Sequence, residues 1–366
     1  MHRRCAMVPL TPFLWPALAA ATASEMVLAL TKEIAHLAAG HSSNSMFREP
    51  RWTTPNRIAL ELPSMRLRKF SADGDDIATL VCAPLALHDA TLTDFAPDHS
   101  LVAALQIAGL RNVFVTDWRS ATSEMRFFSI DSYLADLNVV VDELGGCANL
   151  IGVCQGGWMA LAYAARYPSK IRRLVLAGAP VDINAGESKL SQVAHSVPPS
   201  GFKQLVELGD GRVRGAHLLQ FWKHPPLEPE AIHSLLQIPE DITTPRSSRL
   251  ITLFREWYAR PIDLPGTYYL QVVQWLYKEN QLATGRFAAL GRPIDLSIIR
   301  GPILLLAARD DEIVASEQLL AARHLVGSNE RQIRTEIVAC THLGLFMGAT
   351  TLLHTWSKIA RWLAAS

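Results

Sequence analysis

The stretch that decides the fold is Gly152-Val153-Cys154-Gln155-Gly156-Gly157. It follows an apolar run at 149–153, which predicts a strand, and it leads into a helical pattern over 155–167. A G-x-C-x-G sequence at a strand-to-helix turn is typical of a nucleophile held on a sharp turn, here a cysteine. Gly152 and Gly156 fit this turn because a side chain at either position would collide with the neighbouring strand or helix. We therefore predict that Cys154 is a nucleophile rather than a buried structural cysteine.

Short apolar runs alternate with helical patterns on both sides of this turn. Strands are predicted at 57–62, 79–83, 113–116, 149–153, 171–177, 302–307 and 332–338, and helices at 100–108, 130–144, 155–167 and 351–364. Such alternation indicates a parallel sheet covered on both faces. The strand pattern stops between 185 and 265, where helix formers, aromatic residues and prolines prevail. The sequence thus predicts an α/β-hydrolase fold: a mostly parallel, doubly wound sheet with a helical cap insertion.

We divide the chain into four segments. Residues 1–45 are a helical extension, 46–184 the first part of the core, 185–285 the cap or lid, and 286–366 the second part of the core. Arg3 and Arg4 precede an apolar stretch, which resembles a signal peptide. Apolar residues at helical spacing run from 15 to 37, through the would-be cleavage site, and favour a helix instead.

Composition argues against several classes of function. The 366 residues carry 35 basic and 34 acidic side chains, so a net charge of +1 gives no reason to expect a nucleic-acid partner. Five cysteines without a C-x-x-C pair indicate neither a disulfide framework nor a zinc site, and free thiols suit the cytoplasm. Dinucleotide, phosphate-loop and metal motifs are missing from the sequence, so we expect no bound cofactor and no metal.

The general base and its orienting acid are expected later in the chain. The order in this fold is nucleophile, acid, histidine, and His342 follows the last predicted strand. Histidine suits the role because it accepts and returns a proton near neutral pH. Asp311, after the strand at 302–307, has the usual spacing for the acid. Asp310, beside Arg309, and Asp182 remain alternatives.

Two backbone N–H groups are expected to bind the oxyanion that forms during acyl transfer. Gln155, directly after the nucleophile, supplies one of them. The second comes from the loop after the strand at 79–83, from Leu85 or Ala86.

Aromatic side chains in the cap suggest a channel for acyl chains. They are Phe221, Trp222, Phe254, Trp257, Tyr258 and Trp275. The alternative is that they pack the cap onto the core. The candidate substrate-binding residues are Trp118, Trp158, Trp222 and Trp257.

Several segments resemble the polyhydroxyalkanoate synthases over about residues 60–365. The turn at 152–157 resembles their G-x-C-x-G-G box, 113–118 their strand ending in Asp-Trp, 179–182 their P-V-D turn, and 276–285 their L-Y-x-x-N-x-L-x-x-G stretch. The resemblance implies that Cys154 accepts the acyl group, His342 acts as base and Asp311 orients it. The chain departs from the family where P-P-x-x-N-K becomes Ala83–His88, and where the histidine after the acid becomes Glu312.

The same resemblance implies a (3R)-3-hydroxyacyl-CoA substrate and a growing polyester chain, with CoA leaving. Expected partners are this thioester and the polyester, and further candidates are a second synthase subunit, the surface of a polyester granule and a second copy of the chain. Intracellular polyhydroxyalkanoate depolymerases share the fold, and the same residues working with water would give a depolymerase or a thioesterase. The alternative from another class is a non-catalytic protein that binds granules or a synthase.

Overall fold

An eight-stranded sheet organises the part of the chain that the computed structural model describes, residues 51–70, 76–222 and 227–365. Its strands are β1 (Arg57–Glu61), β2 (Met65–Lys69), β3 (Thr79–Cys82), β4 (Val113–Trp118), β5 (Ala148–Val153), β6 (Ile171–Ala177), β7 (Ile303–Ala308) and β8 (Ile333–Val338). The spatial order is β1-β2-β4-β3-β5-β6-β7-β8. β2 runs antiparallel to both of its neighbours, and all other pairs are parallel. The predicted 1–45 extension lies outside the described residues.

Helices flank the sheet and fill the long connection between β6 and β7. The core helices are α1 (Leu101–Ile107), α2 (Ile130–Glu143) and α3 (Gln155–Arg166). The connection holds α4 (Lys189–Ser196), α5 (Pro199–Leu208), α6 (Gly215–Trp222), α7 (Pro229–Leu236), α8 (Pro245–Tyr258) and α9 (Gly266–Gln271), which continues as a π-helix over Val272–Lys278. The last part contains α10 (Ser316–Leu320), α11 (Ala322–Leu325), α12 (Gly344–Met347), α13 (Ala349–Thr351), a π-helix over Leu352–Trp356, and α14 (Ser357–Ala364).

The central strands are continuous apolar runs because both faces of the sheet are covered. Every residue of β4, β5 and β7 is buried. This is the pattern expected for parallel strands with helices on both sides. β5 lies between β3 and β6, so its carboxyl end, which carries Cys154, opens near the middle of the sheet.

The helices between β6 and β7 are tied to the loop that follows β3. The backbone N–H of Ile262 donates to the carbonyl oxygen of Leu87 at 2.9 Å, and the Tyr268 hydroxyl donates to that of Leu85 at 3.3 Å. These inserted helices run from Lys189 to Lys278. They therefore cover the edge of the sheet where the nucleophile turn lies.

Three of the differences between the structure and the sequence prediction concern the sheet, the cap and the final helix. Strand β2 was missed because its buried Met65 and Leu67 alternate with arginine and lysine. A short strand pair, Arg212–Val213 with Leu264–Pro265, lies in the region predicted to hold no strand. The final helix is interrupted by the π-helical turn at Leu352–Trp356. Within the described ranges, no helix has the length and apolar character needed to cross a membrane.

Candidate active site

Cys154 lies on the sharp turn between β5 and α3. Its backbone has φ +49° and ψ −119°, a conformation that costs free energy for any residue with a side chain. The turn is held by two backbone hydrogen bonds. The N–H of Cys154 donates to Ala177 O, and the N–H of Gly157 donates to Cys154 O, both at 2.9 Å. The strain is therefore supported by the surrounding structure, and it places Cys154 in the wall of a cavity.

The glycines of this turn are required by close backbone contacts. A Cβ atom on Gly156 would lie 2.1 Å from the carbonyl oxygen of Cys82, at the end of β3. A Cβ atom on Gly152 would lie 2.5 Å from the Cα atom of Gly157. Both distances are far below van der Waals contact, so a side chain would force β3, β5 and α3 apart.

The structure brings His342 and Asp311 together beside Cys154. His342 Nδ1 lies 2.8 Å from one Asp311 carboxylate oxygen and 3.0 Å from the other, and both side chains are almost fully buried. The same carboxylate accepts hydrogen bonds from the backbone N–H groups of Ile313 (3.0 Å) and Val314 (2.8 Å). Cys154 is also close enough to His342 to contribute to the raised pKa of its imidazole. The site thus combines a cysteine, a histidine and an acid that is fixed by backbone hydrogen bonds.

Electrostatics favour a protonated imidazole at this position. Burial alone would lower the pKa of His342, but the carboxylate of Asp311 and the Cys154 sulfur raise it well above its usual value. A cation that is paired on both sides can remain charged in a buried site. The proton that leaves the thiol therefore has a stable place on the imidazole.

The two alternative acids lie elsewhere. Asp310 is exposed to solvent. One Asp182 carboxylate oxygen accepts hydrogen bonds from the Asn280 amide at 2.7 Å and from the backbone N–H of Asn184 at 3.0 Å. Of the three acids considered from the sequence, only Asp311 contacts His342.

The loop after β3 lies in the same cavity wall as the nucleophile turn. Leu85 and Ala86 line the same cavity as Cys154 and Gln155. The backbone N–H groups of Leu85 and Gln155 donate to no protein acceptor in the described ranges. The loop is anchored by the Trp118 indole, which donates to Ala83 O at 2.8 Å, and by the Tyr268 hydroxyl on Leu85 O. Both N–H groups are thus available to a developing oxyanion.

Cys154 lines a mostly apolar cavity of about 190 Å³. The inserted segment supplies much of its wall, and the residues from there are Leu190, Leu218, Trp257, Tyr258, Leu264, Tyr268, Tyr269, Val272, Val273 and Tyr277. The core contributes Pro84, Leu85, Leu92 and Phe346, and the polar atoms of His88, Gln155, Glu312 and His342 interrupt the apolar surface. Such a site accommodates a short carbon chain with a few polar groups.

The aromatic residues singled out from the sequence have different places. Trp257 and Tyr258 line the cavity, and Phe254 packs behind them with its ring centroid 5.5 Å from that of Trp257. Trp275 lies instead in a separate surface depression with Phe202. The side chains of Phe221 and Trp222 lie outside the described part of the structure.

Trp118 and Trp158 are supporting residues rather than cavity-lining ones, contrary to the sequence interpretation. Both are buried, and neither is part of the cavity wall. Trp118 anchors Ala83, and the Trp158 indole donates to the side-chain oxygen of Gln155 at 2.8 Å. Their polar atoms are satisfied inside the protein, so they hold the site in place from behind.

Sequence reasoning missed several groups that shape the cavity. Tyr277 donates a hydrogen bond to the Gln155 side-chain oxygen, and Tyr268 holds the loop after β3. Tyr277 lies in the stretch 276–285, which the sequence indicated only as a family resemblance, and Tyr268 lies before that stretch. His88 also lines the cavity. The sequence feature that could have indicated it as a site residue is its place in the altered P-P-x-x-N-K segment.

Comparison with protein families gives one match over most of the chain. The model of the family described as "Protein of unknown function (DUF3141)" matches residues 68–363. That span includes Cys154, Asp311 and His342.

Curated relatives include poly(3-hydroxyalkanoate) polymerase subunits PhaC. The subunit of Haloferax mediterranei is 25% identical over 85% of this chain and 64% of its own length. The subunits of Synechocystis sp. and Allochromatium vinosum are 28% and 25% identical, over 75% and 74% of this chain and 74% and 76% of their own lengths. The chain is thus similar to these polymerase subunits, and it spans less than two thirds of the Haloferax relative. The resemblance identified from the sequence is confirmed.

Solved structures with a similar fold are lipases and esterases. The monoacylglycerol lipase of Paleococcus ferrophilus aligns with a TM-score of 0.53 and 16% identity, over 82% of this chain and 98% of the lipase. The esterase RhEst1 of Rhodococcus sp. aligns with a TM-score of 0.51 and 14% identity, over 85% and 98%. At such low identity these alignments concern the fold, and they confirm the predicted α/β-hydrolase fold.

Proposed function

We propose that this chain, which belongs to the DUF3141 family, is a cysteine-dependent acyltransferase that moves a hydroxyacyl group from a CoA thioester to a hydroxyl acceptor. The observation that carries the proposal is the His342–Asp311 pair beside Cys154, with Cys154 and His342 both in the wall of an apolar cavity. Its similarity to poly(3-hydroxyalkanoate) polymerase subunits supports polyester as the product.

In the first step the substrate acylates the cysteine. His342 takes the thiol proton of Cys154, and the sulfur attacks the thioester carbonyl. The oxyanion accepts hydrogen bonds from the backbone N–H groups of Gln155 and Leu85. The carbon–sulfur bond to CoA then breaks, and the leaving thiolate receives the proton from His342. One thioester replaces another, so the acyl group remains activated.

In the second step a hydroxyl group takes the acyl group. His342 removes the hydroxyl proton while the oxygen attacks the acyl carbon, and an ester forms as the bond to Cys154 breaks. The released thiolate regains the proton from His342. CoA is a leaving group here, and the cycle as proposed uses no bound cofactor or metal.

The proposal is tested with purified protein and (3R)-3-hydroxybutyryl-CoA. We expect release of free CoA together with an oligomeric or insoluble ester. Cys154→Ala should abolish the release, because the acyl acceptor is gone. Cys147→Ala is the matched control, since Cys147 is an exposed free cysteine outside the site and its loss should change nothing.

The products separate the remaining alternatives. Monomeric hydroxy acid instead of ester would mean that water is the acceptor, which is thioesterase chemistry. Release of soluble acid from amorphous polyester, without CoA release from the thioester, would indicate a depolymerase. If Cys154→Ala retained full activity on both substrates, the cysteine mechanism would be wrong.

A further inference from the structure

His88 is a fixed polar group in the wall of the active-site cavity. It lies in the loop after β3, three residues beyond Leu85. Its ring stacks on that of Trp257 with centroids 4.3 Å apart, and its Nε2 atom lies 2.9 Å from the carbonyl oxygen of Tyr258. Both contacts come from α8, so they hold the ring in one orientation.

The contact with Tyr258 decides which ring nitrogen of His88 carries the proton. A carbonyl oxygen can only accept, so Nε2 donates and holds the proton. Burial lowers the pKa of His88 to about 4, and the hydrogen bond to Tyr258 only partly offsets this effect. The ring is therefore neutral near pH 7, and its Nδ1 atom is a hydrogen-bond acceptor.

This acceptor, Nδ1 of His88, has no hydrogen-bond donor from the described part of the chain. It is also not among the described side-chain atoms that are both sealed from solvent and without a partner. Because His88 lines the cavity that contains Cys154, we assign Nδ1 to the wall of that cavity. An acceptor in an apolar wall is unfavourable unless a donor reaches it.

We propose that His88 Nδ1 accepts a hydrogen bond from a hydroxyl group on the acyl chain, and thereby selects hydroxyacyl over unsubstituted acyl thioesters. The inference rests on the proposed function, because it places the acyl chain in the cavity that Cys154 lines. The apolar wall contacts the carbon chain, and His88 adds an acceptor that only a donor satisfies. A substrate with a methylene in place of the hydroxyl-bearing carbon leaves Nδ1 unpaired.

Two substitutions separate recognition from structural support. His88→Gln places an amide near the position of Nε2, so it can still donate to Tyr258 O while the acceptor at Nδ1 is lost. His88→Asn places an amide oxygen near the position of Nδ1, so it keeps the acceptor while the bond to Tyr258 is lost. If His88 had a structural role alone, the asparagine variant would be the impaired one.

The measurement is the ratio of kcat/KM for CoA release from (3R)-3-hydroxybutyryl-CoA and from butyryl-CoA. We expect the wild type to prefer the hydroxyacyl thioester about tenfold, the size of effect of one hydrogen bond whose loss leaves a buried acceptor unpaired. His88→Gln should bring the ratio close to one, and His88→Asn should retain most of the preference. The glutamine variant keeps the bond to Tyr258, so it carries the test even if the asparagine variant does not fold.

Three results would overturn the inference, and they are distinguishable. Equal use of both thioesters by the wild type would refute the selection by His88 while leaving acyl transfer intact. Retention of the preference in His88→Gln would show that another group reads the hydroxyl. Absence of CoA release from either thioester would refute the proposed function, and this inference with it.

Discussion

Gly157, the last glycine of the nucleophile turn, lies so close to Ala179 that only one of the two positions can carry a methyl group. A Cβ atom on Gly157 would lie 2.2 Å from the Cβ atom of Ala179, whereas its next neighbours are 3.4 Å away. Ordinary contact begins at 3.4 Å, so Gly157→Ala overlaps this one methyl group by about 1.2 Å. Since the obstacle is a single side-chain atom, Ala179→Gly should remove it.

The expected energies follow from this geometry. Overpacking of this size costs about 3 kcal/mol, while alanine instead of glycine in a helix gains about 1 kcal/mol. Gly157→Ala should therefore destabilise the protein by about 2 kcal/mol. Ala179→Gly should cost about 1.5 kcal/mol, from one lost methyl group and the added freedom of the unfolded chain. In the double variant the overlap is absent, so its net cost should be only about 0.5 kcal/mol, against about 3.5 kcal/mol if the two changes were additive.

The assay is urea unfolding of the wild type, both single variants and the double variant. A coupling free energy of about 3 kcal/mol in favour of the double variant is expected. Gly301→Ala is the control glycine substitution, because its nearest neighbour would be 3.9 Å away, and it should leave stability nearly unchanged. The reasoning is refuted if Gly157→Ala is as stable as the wild type, or if Ala179→Gly fails to rescue it.

Two further predictions concern the histidines. In Cys154→Ala the pKa of His342 should fall, because the sulfur that helps Asp311 to raise this pKa is removed. NMR shifts of labelled histidine should then show that the imidazole loses its proton at a lower pH than in the wild type. His88 has a pKa of about 4 in the folded protein, and its ordinary pKa is 6.5. Between these two pH values the unfolded chain therefore binds more protons than the folded protein. The stability that neutral His88 contributes above pH 6.5 is thus lost as the pH falls through 4. The free energy of unfolding should fall by about 3 kcal/mol through this effect. Urea unfolding at pH 7 and pH 4 should show a correspondingly smaller fall in His88→Gln than in the wild type. An equal fall in both proteins would contradict the burial of His88.

The nucleophile turn was readable from the sequence because its chemistry is local. Six consecutive residues contain the strained cysteine and the glycines, and the apolar run before them predicts β5 without knowledge of the rest of the chain. His342 and Asp311 were found through the order of residues in the fold, although their 2.8 Å contact depends on the pairing of β7 with β8. Strand β2 was not predicted because its buried residues alternate with arginines near the edge of the sheet. One of these arginines, Arg68, pairs with Asp117 at 2.7 Å.

The cavity wall was less predictable because its residues come together only through long-range contacts. Gln155 is fixed by Tyr277, which is 122 positions later in the sequence, and Tyr258 meets His88 across 170 positions. Tyr277 lies in the π-helix at Val272–Lys278, and no periodicity in the sequence predicts this π-helix. Trp118 and Trp158 illustrate the same difficulty, since an aromatic side chain near a catalytic turn can support the site without touching the substrate.

The composition of the cavity wall also bears on the choice between water and a hydroxyl acceptor. Both acceptors would be deprotonated by His342 at the same place, so the triad favours neither. An acceptor that carries three apolar carbons gains about 2 kcal/mol by burying them, which corresponds to a preference of roughly thirtyfold. Water gains nothing from Leu190, Leu218 and Val272, which line the same cavity as Cys154. The wall that the inserted helices build over the turn therefore supports ester formation as the proposed reaction, and replacement of those three residues by polar side chains should shift the products toward free acid.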